Sequence, residues 1–567
     1  MKLKLALMGA AASVALIPFS AMAERGASGH LNIIYWQAPS IMNPYLSGGT
    51  KDVDASGVVL EPLARFNEDG VMVPWLAESI PTVENGGVAE DLLSITWVLR
   101  EGLLWSDGTA LTAADAVFSA QYCMHPEGGC AQRRFFNDVA SVEAVDDRTI
   151  RVNFEVPMPV PYGPFVTGYS PIIQAAQFAD CLGPRAPECT QANFYPVGTG
   201  PFVVDDFRPN DVISLSANPN FRDPARPYFA TMTLKGGGDA ASAGRAVMET
   251  GEMDYAWNLQ LAPEVIATMA RGGRGEPITA FGTLVERIEI NLTDPSNDLP
   301  PEIRSTREAP HPILSDIRVR EALSRAIDRD LLVEIGFGQM GLASCNLVPA
   351  PPMFASDAND DCLVQDQDRA RELLDEAGWE LGPDGIRTRD GQRLVLDYQT
   401  STNAVRQDFQ ALIQQWWREI GVEANLRNIN ASVFFGGDPA SPDTFQRFNA
   451  DVEMYANSFP GTDPEQYLGA YLCDREPRPA TQWQGENIPR FCDPEYDALH
   501  LQLSQTASID ERARIGRELN DILMQNYAMI PLVHRGRVSA ASNTLGGVLL
   551  NTWDVELWNI ADWYRTE

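Results

Sequence analysis

The chain has 567 residues and a formal net charge of −34. This length is enough for two or more domains with complete hydrophobic cores. The acidic residues are spread along the chain, and such a surface repels nucleic acid and anionic lipid, so nucleic acid is excluded as a partner.

The first residues have the pattern of a secretory signal peptide. Lys2 and Lys4 precede an apolar run over 5–19, and an A-x-A motif ends at Ala23. The run is too short for a membrane span. We therefore expect export to the periplasm with cleavage after Ala23. No lipid anchor is expected, because the first cysteine is Cys123.

The predicted elements alternate between strands and helices along the chain. Strands are expected over 30–36, 95–100, 424–429 and 528–534, and helices from 112 onward and over 318–334, 368–378, 406–421 and 509–527. The uncharged segment 156–179 contains five prolines, which forbid a membrane helix and predict irregular, partly buried structure. Mixed order of this kind predicts α/β domains.

The eight cysteines form four pairs of near neighbours. An even number of cysteines in an exported protein indicates disulfides, and local loops cost the least entropy to close. The predicted bridges are Cys123 with Cys130, Cys181 with Cys189, Cys345 with Cys362, and Cys473 with Cys492. No C-x-x-C motif occurs and the five histidines are scattered, so no metal site and no cofactor are expected.

The sequence lacks the common motifs of catalysis. The sequence has no G-x-S-x-G, no H-E-x-x-H and no P-loop. The prediction is therefore a protein that is not an enzyme.

Several segments, in this order, resemble the large extracytoplasmic solute-binding proteins of the peptide/nickel ABC importers. They cover most of the chain after residue 23. They are 60–64 (LEPLA) with 74–79 (PWLAES), 95–109 (ITWVLREGLLWSDGT) with 111–119 (LTAADAVFS), 196–202 (PVGTGPF), 314–329 (LSDIRVREALSRAIDR), 370–379 (ARELLDEAGW), and 414–422 (QQWWREIGV) with the later Asp463-Pro464.

The resemblance implies an α/β periplasmic-binding-protein fold, with two lobes hinged around a central cleft. Lobe I would comprise 24–57, 196–281 and 536–567, with an extra subdomain over 58–195. Lobe II would comprise 282–535. Such a protein is expected to act as a monomer that passes its ligand to the membrane permease subunits of its ABC transporter.

The resemblance also implies ligand-binding positions. The loop after the first strand would offer Gly48, Gly49, Thr50 and Lys51, and its alternative is a plain surface turn. Lys51 is expected either to pair with a ligand anion or to be solvated. The cleft walls would add Trp257 and Asn258, with a core tryptophan as the alternative, and Tyr455, Asn457, Ser458 and Phe459.

Two positions depart from the dipeptide-binding members of that family. Those members hold the ligand's amine with an aspartate where this chain has Asn457-Ser458. They hold the carboxylate with an arginine where this chain has Gln399-Thr400-Ser401, so Thr400 takes the anchor position. A buried charge without a partner is costly, and simple dipeptides are therefore expected to bind poorly.

The sequence thus predicts a receptor that captures a peptide or similar polar organic solute. A receptor for an opine, an oligosaccharide or a metallophore on the same scaffold is the alternative. An extracytoplasmic hydrolase is a further alternative, which would require a nucleophile beside a histidine in the cleft.

Overall fold

The computed structural model describes residues 24–566, and the predicted signal peptide lies outside the described residues. Within them, no helix is both long and apolar enough to cross a membrane. Two large sheets and one smaller sheet organise the chain. Each of the three has its own hydrophobic core.

The seven-stranded sheet is built from segments that are distant in sequence. Its central strand, His30–Tyr35, runs parallel to both neighbours and is mostly buried, as expected of a strand covered on both faces. In spatial order the strands are Gly275–Ala280, Arg537–Ser542, Tyr255–Ala256, His30–Tyr35, Thr231–Gly236, Val212–Ala217 and Phe202–Arg208.

The six-stranded sheet lies within the region 285–535. In spatial order its strands are Gly341–Ala343, Met529–Arg535, Val285–Ile290, Val452–Asn457, Val395–Ser401 and Glu423–Ile429. Val285–Ile290 is buried along its whole length although its sequence is VERIEI. Three charged residues in a central strand are unusual, because unpaired charges are almost never fully buried.

A third, three-stranded sheet lies between residues 94 and 154, with strands Ser94–Val98, Thr149–Phe154 and Val139–Ala144. The proline-rich segment 156–179 is irregular except for the short helix Ala175–Phe178, and its apolar side chains join the core of this region. Short strands complete the fold: Ala64–Phe66 with Met72–Pro74, Glu380–Leu381 with Arg387–Arg389 and Gln392–Arg393, and Leu545–Gly546 with Tyr564–Arg565.

The α-helices cover the sheets and connect their strands. They are Thr50–Ser56, Ala113–Met124, Ala175–Phe178, Thr190–Phe194, Ala240–Met248, Pro263–Ala270, Ile317–Arg325, Arg329–Gly336, Gln367–Glu376, Ala404–Glu419, Ala431–Phe434, Glu465–Leu468, Pro494–Ser504 and Ile509–Gln525. Thr112 is the N-cap residue of the helix that begins at Ala113, and its backbone N–H donates to Asp115 Oδ2 at 2.9 Å. Ala404–Glu419 buries Phe409, Ile413 and Trp416, as its periodicity predicts.

The predicted extent of one helix was wrong. The expected single helix over 318–334 is two helices, Ile317–Arg325 and Arg329–Gly336. The break comes at Asp328, whose carboxylate accepts a hydrogen bond from the backbone N–H of Leu331 at 3.0 Å. An aspartate in this position caps a new helix in place of continuing the old one.

All four predicted disulfides are present, with Cα–Cα distances between 4.5 and 5.9 Å, and no free cysteine remains among residues 24–566. Each bridge closes a loop within one of the regions 58–195 and 282–535. The chain passes between the two large sheets twice, after Gly275–Ala280 and at Arg535–Arg537. The lobe boundaries themselves stay a prediction.

Candidate functional site

A cavity lies between the two large sheets and the loops that follow their strands. Its lining comes from the loop after His30–Tyr35, the region 131–169, the two crossing segments and the six-stranded sheet. Seven predicted site residues face it: Gly48, Thr50, Lys51, Trp257, Asn258, Tyr455 and Asn457. The structure therefore brings together residues that are more than 400 positions apart in sequence.

The loop at Gly48 and Gly49 begins the helix Thr50–Ser56. Gly49 is its N-cap residue and packs closely on the opposite wall, where an added Cβ would lie 2.7 Å from the carbonyl oxygen of Phe435. This close approach leaves no room for a side chain at position 49, which explains why glycine is found there. Gly49 itself supports the loop behind the cavity lining.

Lys51 lines the cavity but already has a partner. Its Nζ lies 2.8 Å from Asp52 Oδ2 and donates to Ser40 Oγ at 3.0 Å, and the side chain is buried. Burial lowers the pKa of Lys51, against the opposing effect of Asp52. The contribution of Lys51 to an anion site stays a prediction, but its charge is compensated within the chain.

Trp257 and Asn258 form part of the wall next to the seven-stranded sheet. Trp257 stacks on Tyr35 with ring centroids 4.6 Å apart, and its Nε1 donates to Asp54 at 2.9 Å. Asn258 adopts a φ of +52°, and its carbonyl oxygen accepts from Trp36 Nε1 at 2.8 Å. Trp257 thus has the contacts of a core residue, although it also lines the cavity.

Three further predicted positions lie outside the cavity lining. Thr400 is fully buried, and its Oγ1 donates to the carbonyl oxygen of Met454 at 2.5 Å. Ser458 and Phe459 follow the strand Val452–Asn457, and Phe459 stacks on Tyr467 at 5.1 Å. These residues support the wall from behind, while Tyr467 itself faces the cavity.

The sequence reasoning missed an arginine pair that shares one carboxylate. Glu286, in the strand Val285–Ile290, accepts from Arg406 Nε at 2.5 Å and from Arg535 Nε at 3.2 Å. All three side chains are buried, and both arginines face the cavity. Two guanidinium groups around one carboxylate leave one positive charge uncompensated at the cavity wall.

The pKa shifts agree with this arrangement. Burial raises the pKa of Glu286, but the two arginines outweigh burial and the pKa is lowered. Burial lowers the pKa of Arg535 to about 10, so it stays protonated at neutral pH. Arg535 is therefore charged where a ligand would meet it, and we call Arg406 and Arg535 together the arginine pair.

Arg537 adds a third guanidinium. It lies two residues after Arg535, with Nη1 3.9 Å from Asp54 Oδ2 and 3.6 Å from Glu556 Oε2. Within the described chain the cavity lining contains five cationic side chains, Lys51, Arg134, Arg406, Arg535 and Arg537, and one carboxylate, Glu486. The lining thus has more guanidinium groups than carboxylates, which favours an anionic group on the ligand.

Two signals in the sequence could have revealed these arginines. The strand VERIEI has charges where a central strand is expected to be apolar, and they need buried partners. Arg535 and Arg537 are separated by one residue, so they stand on the same side of an extended segment that is otherwise largely apolar.

Aromatic residues complete the wall on the side of the six-stranded sheet. Tyr455 donates to Glu289 at 3.1 Å, and Arg287 donates to Tyr467 at 2.6 Å. Phe435 and Phe445 pack against Tyr455 with centroids 6.2 and 5.2 Å away. A wall of this kind contacts apolar and planar parts of an organic ligand.

Side chains of the six-stranded-sheet region 285–535 also contact side chains and backbone from residues before 282. Arg134 is ion-paired with Glu486, and Asn403 donates to Gln260. Gln482 donates to the carbonyl oxygen of Glu127 at 2.9 Å. Within residues 24–566, no group of three or more His, Cys, Asp or Glu side chains could hold a metal ion.

The comparisons with known proteins agree with this architecture. The model of the bacterial extracellular solute-binding proteins, family 5, middle region, matches residues 71–477. The chain belongs to this family. Its members are non-catalytic substrate-binding proteins of ABC importers, so the sequence-based predictions of family, α/β periplasmic-binding-protein fold and function are confirmed.

Individual relatives are distant but cover most of the chain. The glutathione-binding protein GsiB of Escherichia coli is 25% identical over 510 residues, 89% of this chain and 89% of that protein. The oligopeptide-binding protein AppA of Bacillus subtilis, solved with a nonapeptide, has a TM-score of 0.81 at 20% identity, covering 96% of this chain and 100% of AppA. NikZ of Campylobacter jejuni, solved with Ni(L-His), has a TM-score of 0.78 at 20% identity, covering 95% and 100%.

Proposed function

We propose that this protein captures a peptide or similar polar organic solute that carries a carboxylate, and passes it to the permease subunits of its ABC importer. One observation carries the proposal. The arginine pair, Arg406 and Arg535, faces the cavity with a single carboxylate, Glu286, between them. A ligand carboxylate there would compensate the remaining positive charge and accept charge-assisted hydrogen bonds.

The peptide class is supported by the mixture of groups around the arginines. Side-chain amides of Gln37, Gln260, Gln446 and Asn457 line the same cavity, alongside the tyrosines and phenylalanines. Amides both donate and accept, and so they match the backbone of a peptide. The distant relatives that bind glutathione and a nonapeptide support the same class.

Capture by hinge closure is part of the proposal. Lobe I (24–57, 196–281 and 536–567, with the subdomain 58–195) and lobe II (282–535) would rotate about the two crossings near 281–284 and Gly536. The contacts of Arg134 with Glu486 and of Gln260 with Asn403 bridge these segments, which supports a closed conformation. The permease, the monomeric state, the periplasmic location, and cleavage after Ala23 without a lipid anchor belong to the same proposal.

The test is calorimetry on ligand-stripped protein with a panel of glutathione, dipeptides, tri- to hexapeptides, opine-like conjugates and neutral oligosaccharides. Anionic peptides should bind best. Arg535→Gln should weaken them about 10- to 100-fold, because a hydrogen bond to a charged group contributes about 1.5–3 kcal/mol.

Arg427→Gln is the matched control, since Arg427 pairs with Asp443 on the surface of the same sheet. It should leave the affinity unchanged. A neutral oligosaccharide that outcompetes every anion, or an Arg535→Gln variant with wild-type affinity for the peptides, would refute the proposal.

A further inference from the structure

Gln132 lines the cavity and has a buried acceptor oxygen that no donor among residues 24–566 uses. Its Nε2 donates to the carbonyl oxygens of Ser47 at 2.9 Å and of Pro44 at 3.4 Å. Since Nε2 must face two carbonyl acceptors, the orientation of the amide is fixed. The Oε1 atom then points away from them, is buried, and accepts no hydrogen bond from any of residues 24–566. Gln132 is 2% exposed and lines the cavity.

Glu486 presents a second acceptor of the same kind. It lies in the loop closed by the disulfide Cys473–Cys492, and its Oε1 is ion-paired with Arg134. Its Oε2 is buried without a hydrogen-bond partner among residues 24–566. Burial raises the pKa of Glu486, against Arg134 and Arg475. A further hydrogen-bond donor would therefore stabilise the desolvated carboxylate.

Gln132 and Glu486 line the same cavity, and Arg134 connects them. Arg134 follows Gln132 by two residues, and it reaches Glu486 while its guanidinium carbon lies 4.9 Å from the ring centroid of Phe135. Unpaired buried acceptors cost free energy, and a donor on the ligand removes that cost. Arg134 and Glu486 neutralise one another, so this region lacks the excess positive charge of the arginine pair.

We propose that Gln132 Oε1 and Glu486 Oε2 form a subsite for the free amino group of the ligand. This inference rests on the proposed function and narrows the ligand to one that carries both an amino group and a carboxylate. An amino nitrogen supplies up to three N–H donors, enough for both oxygens. The subsite comes from different elements than Asn457-Ser458, where the dipeptide-binding members of the family have their aspartate.

The consequence concerns small peptides. The sequence predicted that simple dipeptides bind poorly, because no charged anchor was found at Thr400 or at Asn457-Ser458. The arginine pair and the Gln132–Glu486 subsite would supply a partner for each terminus from other positions. A peptide with free termini would then enter the cavity with both charges paired.

The experiment compares trialanine and glutathione with their N-acetylated forms by calorimetry on wild-type protein and on Glu486→Gln. In the wild type the free amines should bind at least about tenfold more tightly than the N-acetyl forms, which is the effect of one charge-assisted hydrogen bond. In Glu486→Gln the ratio of the free-amine affinity to the N-acetyl affinity should fall to about one to two. A general loss of closure from the weakened Arg134 contact would lower both affinities and leave the ratio unchanged.

Glu476→Gln is the matched control, because Glu476 lies in the same disulfide-closed loop and pairs with Arg307 outside the cavity. It should keep the wild-type ratio. Equal binding of free and acetylated peptides by the wild type, or a ratio that survives in Glu486→Gln, would overturn the amino subsite and leave the carboxylate proposal standing. If no anionic probe binds the wild type, both proposals fail.

Discussion

His500 is the most strongly shifted histidine of the described chain. It is buried in the helix Pro494–Ser504, and its Nε2 lies 3.0 Å from the carbonyl oxygen of Glu465, so the neutral ring donates to that oxygen. Burial lowers its pKa from 6.5 to about 4, against the opposing effect of the hydrogen bond to Glu465. The folded protein therefore holds His500 neutral where an unfolded chain would protonate it.

This shift predicts a loss of stability in acid. Between pH 6.5 and about 4 the unfolded state binds a proton at His500 and the folded state does not, so the free energy of unfolding falls as the pH falls. The pKa shift corresponds to about 3 kcal/mol across that window. Urea unfolding of wild type and His500→Gln at pH 7 and pH 4.5 should show a smaller acid loss in the variant. Equal losses in both proteins would contradict the shift.

Substitution of Lys51 would affect stability, because Lys51 forms a buried ion pair. Removing its ammonium would leave the carboxylate of Asp52 buried, and an uncompensated buried charge costs about 3–5 kcal/mol. We expect Lys51→Met to lower the melting temperature by several degrees, and Lys51→Met with Asp52→Asn to recover much of the loss. Scanning calorimetry of both variants would measure these melting temperatures. A stable single variant would show that the pair is dispensable for folding.

At the scale of elements, one disulfide closes a segment that has little regular structure. Cys345–Cys362 closes a loop of 17 residues that contains only short 3₁₀ turns, and Arg329 donates to the carbonyl oxygen of Cys362 at 2.7 Å. Closing a loop of this size restricts the unfolded chain and stabilises the fold by about 3 kcal/mol.

The double variant Cys345→Ser with Cys362→Ser should therefore unfold at a lower temperature than wild type. Peptide mapping without reduction should recover the other three bridges unchanged. A peptide that links Cys123 to Cys345 in the wild type would contradict the local pairing.

The divided helix offers a second prediction at this scale. Asp328 caps Arg329–Gly336, and loss of a capping aspartate costs about 1 kcal/mol. Asp328→Ala should reduce the free energy of urea unfolding by about that amount. Asp330→Ala, which removes an exposed acid two residues later, should cost less. Equal effects would show that the cap does not stabilise this helix.

At the scale of the whole molecule, the two segments that join the large sheets limit how the sheets can move relative to one another. Only two short segments join the seven-stranded and six-stranded sheets along residues 24–566. Arg535 and Arg537 flank Gly536 on one of them. A ligand carboxylate at Arg535 would therefore act directly at the proposed hinge.

Small-angle scattering should detect the resulting closure. The radius of gyration should be smaller with a saturating concentration of the tightest-binding peptide than in ligand-stripped protein. Arg535→Gln at the same peptide concentration should remain closer to the unliganded value. Identical profiles with and without ligand in the wild type would argue against closure.

The sequence by itself determined the features that depend on near neighbours. Ordered motifs such as 95–109 and 314–329 identified the family, and the cysteine spacing gave all four bridges. Apolar periodicity located the helix Ala404–Glu419 and its buried face. Turn chemistry, periodicity and short loops are local properties, and a linear pattern contains them.

Only the tertiary structure decided which charges face the cavity. Glu286, Arg406 and Arg535 come from three elements separated by more than 100 residues, and no linear spacing relates them. The same holds for Gln132 and Glu486, whose free oxygens depend on where their other atoms are bonded. A side chain's role in binding depends on burial and on the partners that remain unsatisfied, and folding sets both by joining distant segments.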